Sequence, residues 1–138
     1  MTTVVDSSAV VAALLDSGTD GDWARGLLAA DDLAAPDHLL VEVSNVLRRM
    51  TVAGPVSHDV AALAHADLVD LPVTLFPFRP LAQRVWALHP SVTAYDAAFV
   101  TLAEFLGSPL VTLDRRLARA AGPQCQVVVP PGPGVGSI

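Results

Sequence analysis

A chain of 138 residues is the length of one ordinary domain, enough to bury about two thirds of the surface its unfolded form exposes, with no room for a second core. All eight basic residues are arginine, which excludes Schiff-base catalysis and a P-loop lysine, and fourteen acids leave a formal charge of −6 that disfavours nucleic acid unless cations intervene. No apolar run reaches the roughly 18 residues of a membrane span, Met1–Asp6 lacks the pattern of a secretory signal, and the single Cys125 permits no intrachain disulfide. The expectation is a soluble cytoplasmic protein.

Val4-Val5 running into Asp6-Ser7-Ser8 reads as a strand and a sharp turn, followed by an apolar helix over Ala9–Leu15. Asp22–Ala30 is a second helix, and Asp32–Pro36 a short buried strand closed by its proline. Asp37 is positioned to cap a helix to about Met50, and Ser57 one that ends near Leu71-Pro72. Val73–Phe76 is a strand, Arg79–Leu88 a helix stopped by His89-Pro90, and Thr93 begins a helix closed by Gly107. Leu110–Leu113 is again strand, Asp114 opens a helix reaching Gly122, and Gln126–Val129 is a closing strand. Five short apolar strands alternating with helices predict an α/β fold of three layers, a parallel five-stranded sheet with helices on both faces. The domain is expected over residues 1–129, and the Pro/Gly-rich residues 130–138 as a disordered tail.

In such sheets ligands sit at the carboxyl ends of strands, and Asp6 and Asp114 each follow an apolar strand at that edge. Each acid also has a local explanation. Asp6 and Asp114 are placed to cap the helices after them, and Asp96, three residues after Thr93, to complete a capping box. Glu42 interrupts Leu39-Leu40-Val41 and Val43, where a carboxylate needs a partner, either Asn45 or Arg49 on helical spacing or a cation. Taken together, four oxygen donors without a His or Cys cluster favour Mg²⁺ or Mn²⁺ over zinc, and metals so held support phosphodiester hydrolysis. The aromatic residues Trp23, Trp86, Phe76, Phe99 and Phe105 are expected to pack, and His38, His58, His65 and His89 to face solvent or cap. The pairs Arg48-Arg49 and Arg115-Arg116 are open to two readings, as RNA contacts or as partners of the acids.

The segments Val4–Val10, Leu40–Arg49, Thr93–Phe99 and Leu110–Leu117, in that order and spacing, resemble the PIN domain and, within it, the VapC toxins of VapBC toxin–antitoxin systems. The likeness covers residues 2 to about 129. It implies a Mg²⁺- or Mn²⁺-dependent endoribonuclease that forms a homodimer and is inhibited by a small VapB-like antitoxin. Position by position, it implies that Asp6, Glu42, Asp96 and Asp114 are the metal-binding and catalytic acids, with Ser7 and Thr112 as supporting polar groups. The rival expectation is a catalytically silent PIN-like protein–protein module in which the acids only cap helices.

Overall fold

The structure is a computed structural model, and it describes residues 1–132. Strand β1 (Thr2–Val5) lies at the centre of a five-stranded sheet whose order is β3-β2-β1-β4-β5, with every neighbouring pair parallel. From β1 the chain steps outward through β2 (Asp32–Pro36) to β3 (Val73–Phe76), then returns to the other side of β1 as β4 (Leu110–Val111) and ends in β5 (Val127–Val128). This reversal opens a crevice at the carboxyl ends of β1 and β4, the place where parallel sheets take their ligands. The three inner strands β2, β1 and β4 are largely buried, as coverage on both faces requires, while the edge strands β3 and β5 are only half-buried.

Helices α1 (Ser7–Leu15), α2 (Thr19–Ala30), α3 (Leu39–Ala53) and α4 (His58–Val69) pack among themselves. On the sheet itself, α6 (Ala94–Leu106) crosses β1, β2 and β4, with α5 (Ala82–Ala87) beside it. The fold is the expected three-layer α/β arrangement. Helix α6 buries seven consecutive residues, Ala97–Ala103, so it is held on all sides and its first turn is a rigid mount. Helices α1 and α2 meet at Gly21, where a Cβ would stand 1.8 Å from the Asp16 carbonyl oxygen, so no side chain fits at that crossing.

Several boundaries differ from expectation for local reasons. Helix α3 begins at Leu39 behind His38, which makes no side-chain capping bond, and exposed Asp37 instead donates its amide to the Phe76 carbonyl at 2.8 Å. The predicted helix over Arg79–Leu88 splits into a 3₁₀ turn (Arg79–Leu81), whose Pro80 favours the start of a helix, and α5. Strand β4 stops at Val111 because the Thr112 and Asp114 side chains take up hydrogen bonds of the turn that follows, and α7 is the short run Arg115–Arg119. Trp86 and Phe105 do not pack as expected, being 70% and 58% exposed. Trp86 stacks on the His89 ring at 4.2 Å. Pro130 is buried, and its carbonyl accepts from Arg115 at 2.7 Å. Residues 133–138 of the predicted tail lie outside the described residues.

Candidate active site

The four acids come from four elements and face one cleft of about 1010 Å³. Asp6 follows β1, Glu42 lies in the first turn of α3, Asp96 in the first turn of α6, and Asp114 just beyond β4. Sheet topology alone brings Asp6 and Asp114 together, since the Asp6 amide donates to the Val111 carbonyl at 3.2 Å across the β1–β4 pair.

The capping roles are present and serve to aim the carboxylates. Asp6 caps α1, its Oδ1 accepting from the Ala9 amide at 3.1 Å and from the Ser8 hydroxyl at 2.7 Å. Its Oδ2 accepts from the Thr112 hydroxyl. The same Thr112 oxygen receives the Asp114 amide at 3.0 Å, while the Leu113 amide donates to Ser8 at 2.9 Å. One hydroxyl network therefore fixes the β1 and β4 exits against each other. Asp114 caps α7 through the Arg116 amide at 2.9 Å and pairs with the exposed Arg116 guanidinium at 3.3 Å. Ser7 donates to Glu42 Oε1. Thr93 caps α6 by accepting from the Asp96 amide at 3.2 Å, yet among the described residues no bond runs from the Thr93 amide to the Asp96 carboxylate, so the predicted capping box is only half made.

Electrostatics distinguish the four acids. Burial lifts the Asp6 carboxyl to about 6, against the hydroxyl and amide donors that pull it back. Asp96 is also raised, first by burial and then by the like charges of Asp114 and Glu42. At Asp114 burial acts upward, but the Arg116 side chain and amide outweigh it and hold the carboxyl below its ordinary value. Anionic charge in the cleft is thus only partly answered by the protein itself.

Ser7 and Thr112 are each bonded to one of the four acids, Glu42 and Asp6 respectively. Ser8 was not singled out, although a hydroxyl two residues beyond an acid at a strand–helix junction is in reach of that acid. Arg49 lines the cleft two helical turns beyond Glu42 and joins no ion pair among the described residues, whereas Arg115 binds a carbonyl and Arg116 an acid. His38, expected to face solvent or cap, lines the cleft half-buried and stands at the N-cap position of α3 without a side-chain capping bond, its ring packing edge-on against Phe99 at 5.0 Å and tilting toward Tyr95 at 6.0 Å.

Among the described residues no three His, Cys, Asp or Glu side chains already form a coordination shell. The donor set nonetheless fits a hard cation in kind and in charge. All four donors are carboxylates, and the repulsion from Asp114 and Glu42, which adds to burial in raising Asp96, is what a divalent ion would relieve. Asp6, Glu42 and Asp114 meanwhile hold local hydroxyl or guanidinium partners that an ion would displace.

A parallel sheet with an acidic cleft at its topological switch point defines a class of α/β proteins before any comparison is made. Residues 3–123 match the family model for the PIN domain. The chain is 38% identical over 128 residues to ribonuclease VapC9 of Mycobacterium tuberculosis, an alignment covering 93% of this chain and 98% of the relative. Among solved structures it superposes on VapC20 of M. tuberculosis, described as a sarcin-ricin loop cleaving toxin, with a TM-score of 0.66 at 18% identity over 85% of this chain and 93% of the other. It also superposes on VapBC2 from Rickettsia felis, bound to a DNA fragment from its promoter, with a TM-score of 0.68 at 12% identity over 95% and 100%. The two structural likenesses bear on fold. The chain belongs to the PIN-domain family and, within it, to the VapC ribonucleases.

Proposed function

We propose that this chain is a Mg²⁺- or Mn²⁺-dependent endoribonuclease and the toxin half of a type II toxin–antitoxin pair, with Asp6, Glu42, Asp96 and Asp114 as its metal-holding and catalytic acids. The observation that carries this reading is the convergence of four carboxylates from four elements on one cleft, where burial first and then Asp114 and Glu42 raise the Asp96 carboxyl. A divalent ion held there supplies Lewis acidity, acidifying water and neutralising charge on a phosphodiester. The chain's own groups set the geometry. Thr112 and Ser8 aim Asp6, Ser7 aims Glu42, the α6 mount fixes Asp96, and Arg49 offers a guanidinium to an RNA phosphate.

The likeness to VapC9, VapC20 and VapBC2 supports RNA as substrate and a VapB-like antitoxin as partner. An antitoxin side chain of positive charge, arginine above all, would inhibit by entering among the acids. Large exposed apolar side chains, among them Leu63 and Trp86, support a homodimer. Among the described residues no helix is long and apolar enough to cross a membrane, and the cytoplasm is the compartment in which this protein would meet its RNA. Residues 1–129 form the nuclease unit in this reading and 130–138 its tail.

The test is cleavage of RNA by the purified chain with added Mg²⁺ or Mn²⁺, and again in EDTA. Cleavage should depend on the ion and stop in chelator, and undiminished cleavage in EDTA would overturn the mechanism.

A further inference from the structure

A ribonuclease of charge −6 without a single lysine has little cationic surface with which to hold its substrate. Part of the binding energy must come from contacts other than phosphate neutralisation. Tyr95 offers one. It precedes Asp96 in the first turn of α6, lines the same cleft, and is 67% exposed although the run Ala97–Ala103 after it is buried. The His38 ring stands 6.0 Å behind it and is itself wedged edge-on at 5.0 Å against Phe99, whose side chain is in the core. His38 Nε2 is buried without a hydrogen-bond partner, an unmet polar atom beside the shelf. Val41, largely exposed, continues the apolar wall.

We propose that Tyr95, backed by His38 and Phe99, is a specificity-determining shelf on which an unpaired base of the RNA stacks beside the phosphate to be cut. This rests on the ribonuclease reading above. Proteins that read RNA act mainly on bases splayed out of the helix and stacked on aromatic rings, and an aromatic residue next to a catalytic acid couples such a base to the scissile bond. A platform of this kind selects nucleotides that can leave a helix, so it favours loops and single strands over duplex.

The test is a double-mutant cycle on the full chain. Binding of a short fluorescent single-stranded RNA is measured in Ca²⁺, which neutralises carboxylates through oxygen ligands, against the same oligonucleotide with one abasic nucleotide moved along it. Tyr95→Ala should weaken binding of the intact RNA roughly 5- to 150-fold. One abasic position should cost the wild type the same factor and cost Tyr95→Ala nothing further. Tyr95→Phe should recover most of the loss, and cleavage kinetics should show KM rising more than kcat falls. Melting temperature should scarcely move, because the side chain is exposed. Binding by Tyr95→Ala within twofold of wild type, losses that simply add at every abasic position, or no binding by the wild type would each overturn the shelf. A wild type that binds and shows the cycle but cleaves nothing with Mg²⁺ or Mn²⁺ would overturn the ribonuclease reading, and with it the shelf's part in choosing a cut site, while base stacking on Tyr95 would stand.

Discussion

Asp96 and Glu104 lie on the same helix, eight residues and about 12 Å apart, and their surroundings treat them in opposite ways. At the last turn of α6, Glu104 is held by Arg84 through two bonds of 2.8 and 3.1 Å and by the Gln124 amide at 2.7 Å. Arg84 also donates to the Gly122 carbonyl at 2.9 Å. Burial acts upward on Glu104, but Arg84 and Gln124 outweigh it and keep the carboxyl below its ordinary value. At the first turn, Asp96 has no basic residue bonded to it and is raised by burial and by two other acids. One carboxylate ties two helices and the loop at Gln124 together, and the other has no basic residue bonded to it. Similar side chains at the two ends of one helix thus differ in how far the protein answers their charge, and the proposed function assigns a role only to the second.

The sharpest way to break this contrast is Asp96→Asn, a nearly isosteric change that removes one charge. RNA cleavage should fall at least about a hundredfold, equivalent to roughly 2.7 kcal/mol of transition-state stabilisation. The metal-free melting temperature should stay the same or rise, because like-charge repulsion is relieved. Cleavage near the wild-type rate would place Asp96 with Glu104 as a structural acid.

Changing pH sharpens the contrast further. Asp6 goes from its ordinary 3.8 to about 6 in the folded chain, so the folded form holds its proton more tightly than the unfolded form. Stability should therefore decline as pH rises from about 4 to 6, by up to about 3 kcal/mol, and level off above that. Glu104 works with the opposite sign, since a lowered carboxyl contributes stability that is lost as pH falls through its folded value. Urea midpoints across this range, for wild type and Asp6→Asn, should show the decline in the first and its removal in the second. Equal pH profiles would contradict the burial of Asp6 as its cause.

The smallest effect should come from the far end. Arg84→Ala leaves the part-buried Glu104 with a single amide partner, and should cost about 2 kcal/mol of stability. Cleavage per folded molecule should remain unchanged, as Arg84 does not line the cleft. Denaturant melts and a cleavage assay on the same preparation would check both, and a loss of activity without a loss of stability would show that the two ends are coupled.

How much of this could be read in advance depended on the range of each interaction. The strands and most helices were legible because burial on both faces leaves short apolar runs that proline and glycine punctuate, as at Asp32–Pro36 and Gly107. The acids were legible because each sits at a strand exit or a helix start. The boundaries at Thr112 and His38 were not, since those residues answer to side chains far away in sequence. Thr112 bonds Asp6 from 106 residues along the chain, and His38 packs on Phe99. Arg84 and Glu104 are 20 residues apart on different helices, a distance at which no helical spacing signals a pair. The exposure of Trp86 and Phe105 was equally hidden, because hydrophobicity alone does not say which side chains the fold leaves outside.

The strand order also governs when the cleft can exist during synthesis. Asp6 is made about a hundred residues before β4, which must slot in on the free side of β1 and begins only at Leu110. Until then Asp6 lacks Thr112, Asp114 is absent, and β1 has an open edge. A chain that has reached Asp96 but not Thr112 therefore carries three of the four acids without the neighbour that aligns the first. The complete constellation can form only once β4 and Asp114 have been made, so the cleft is assembled by the sheet's last central pairing rather than by its first strand.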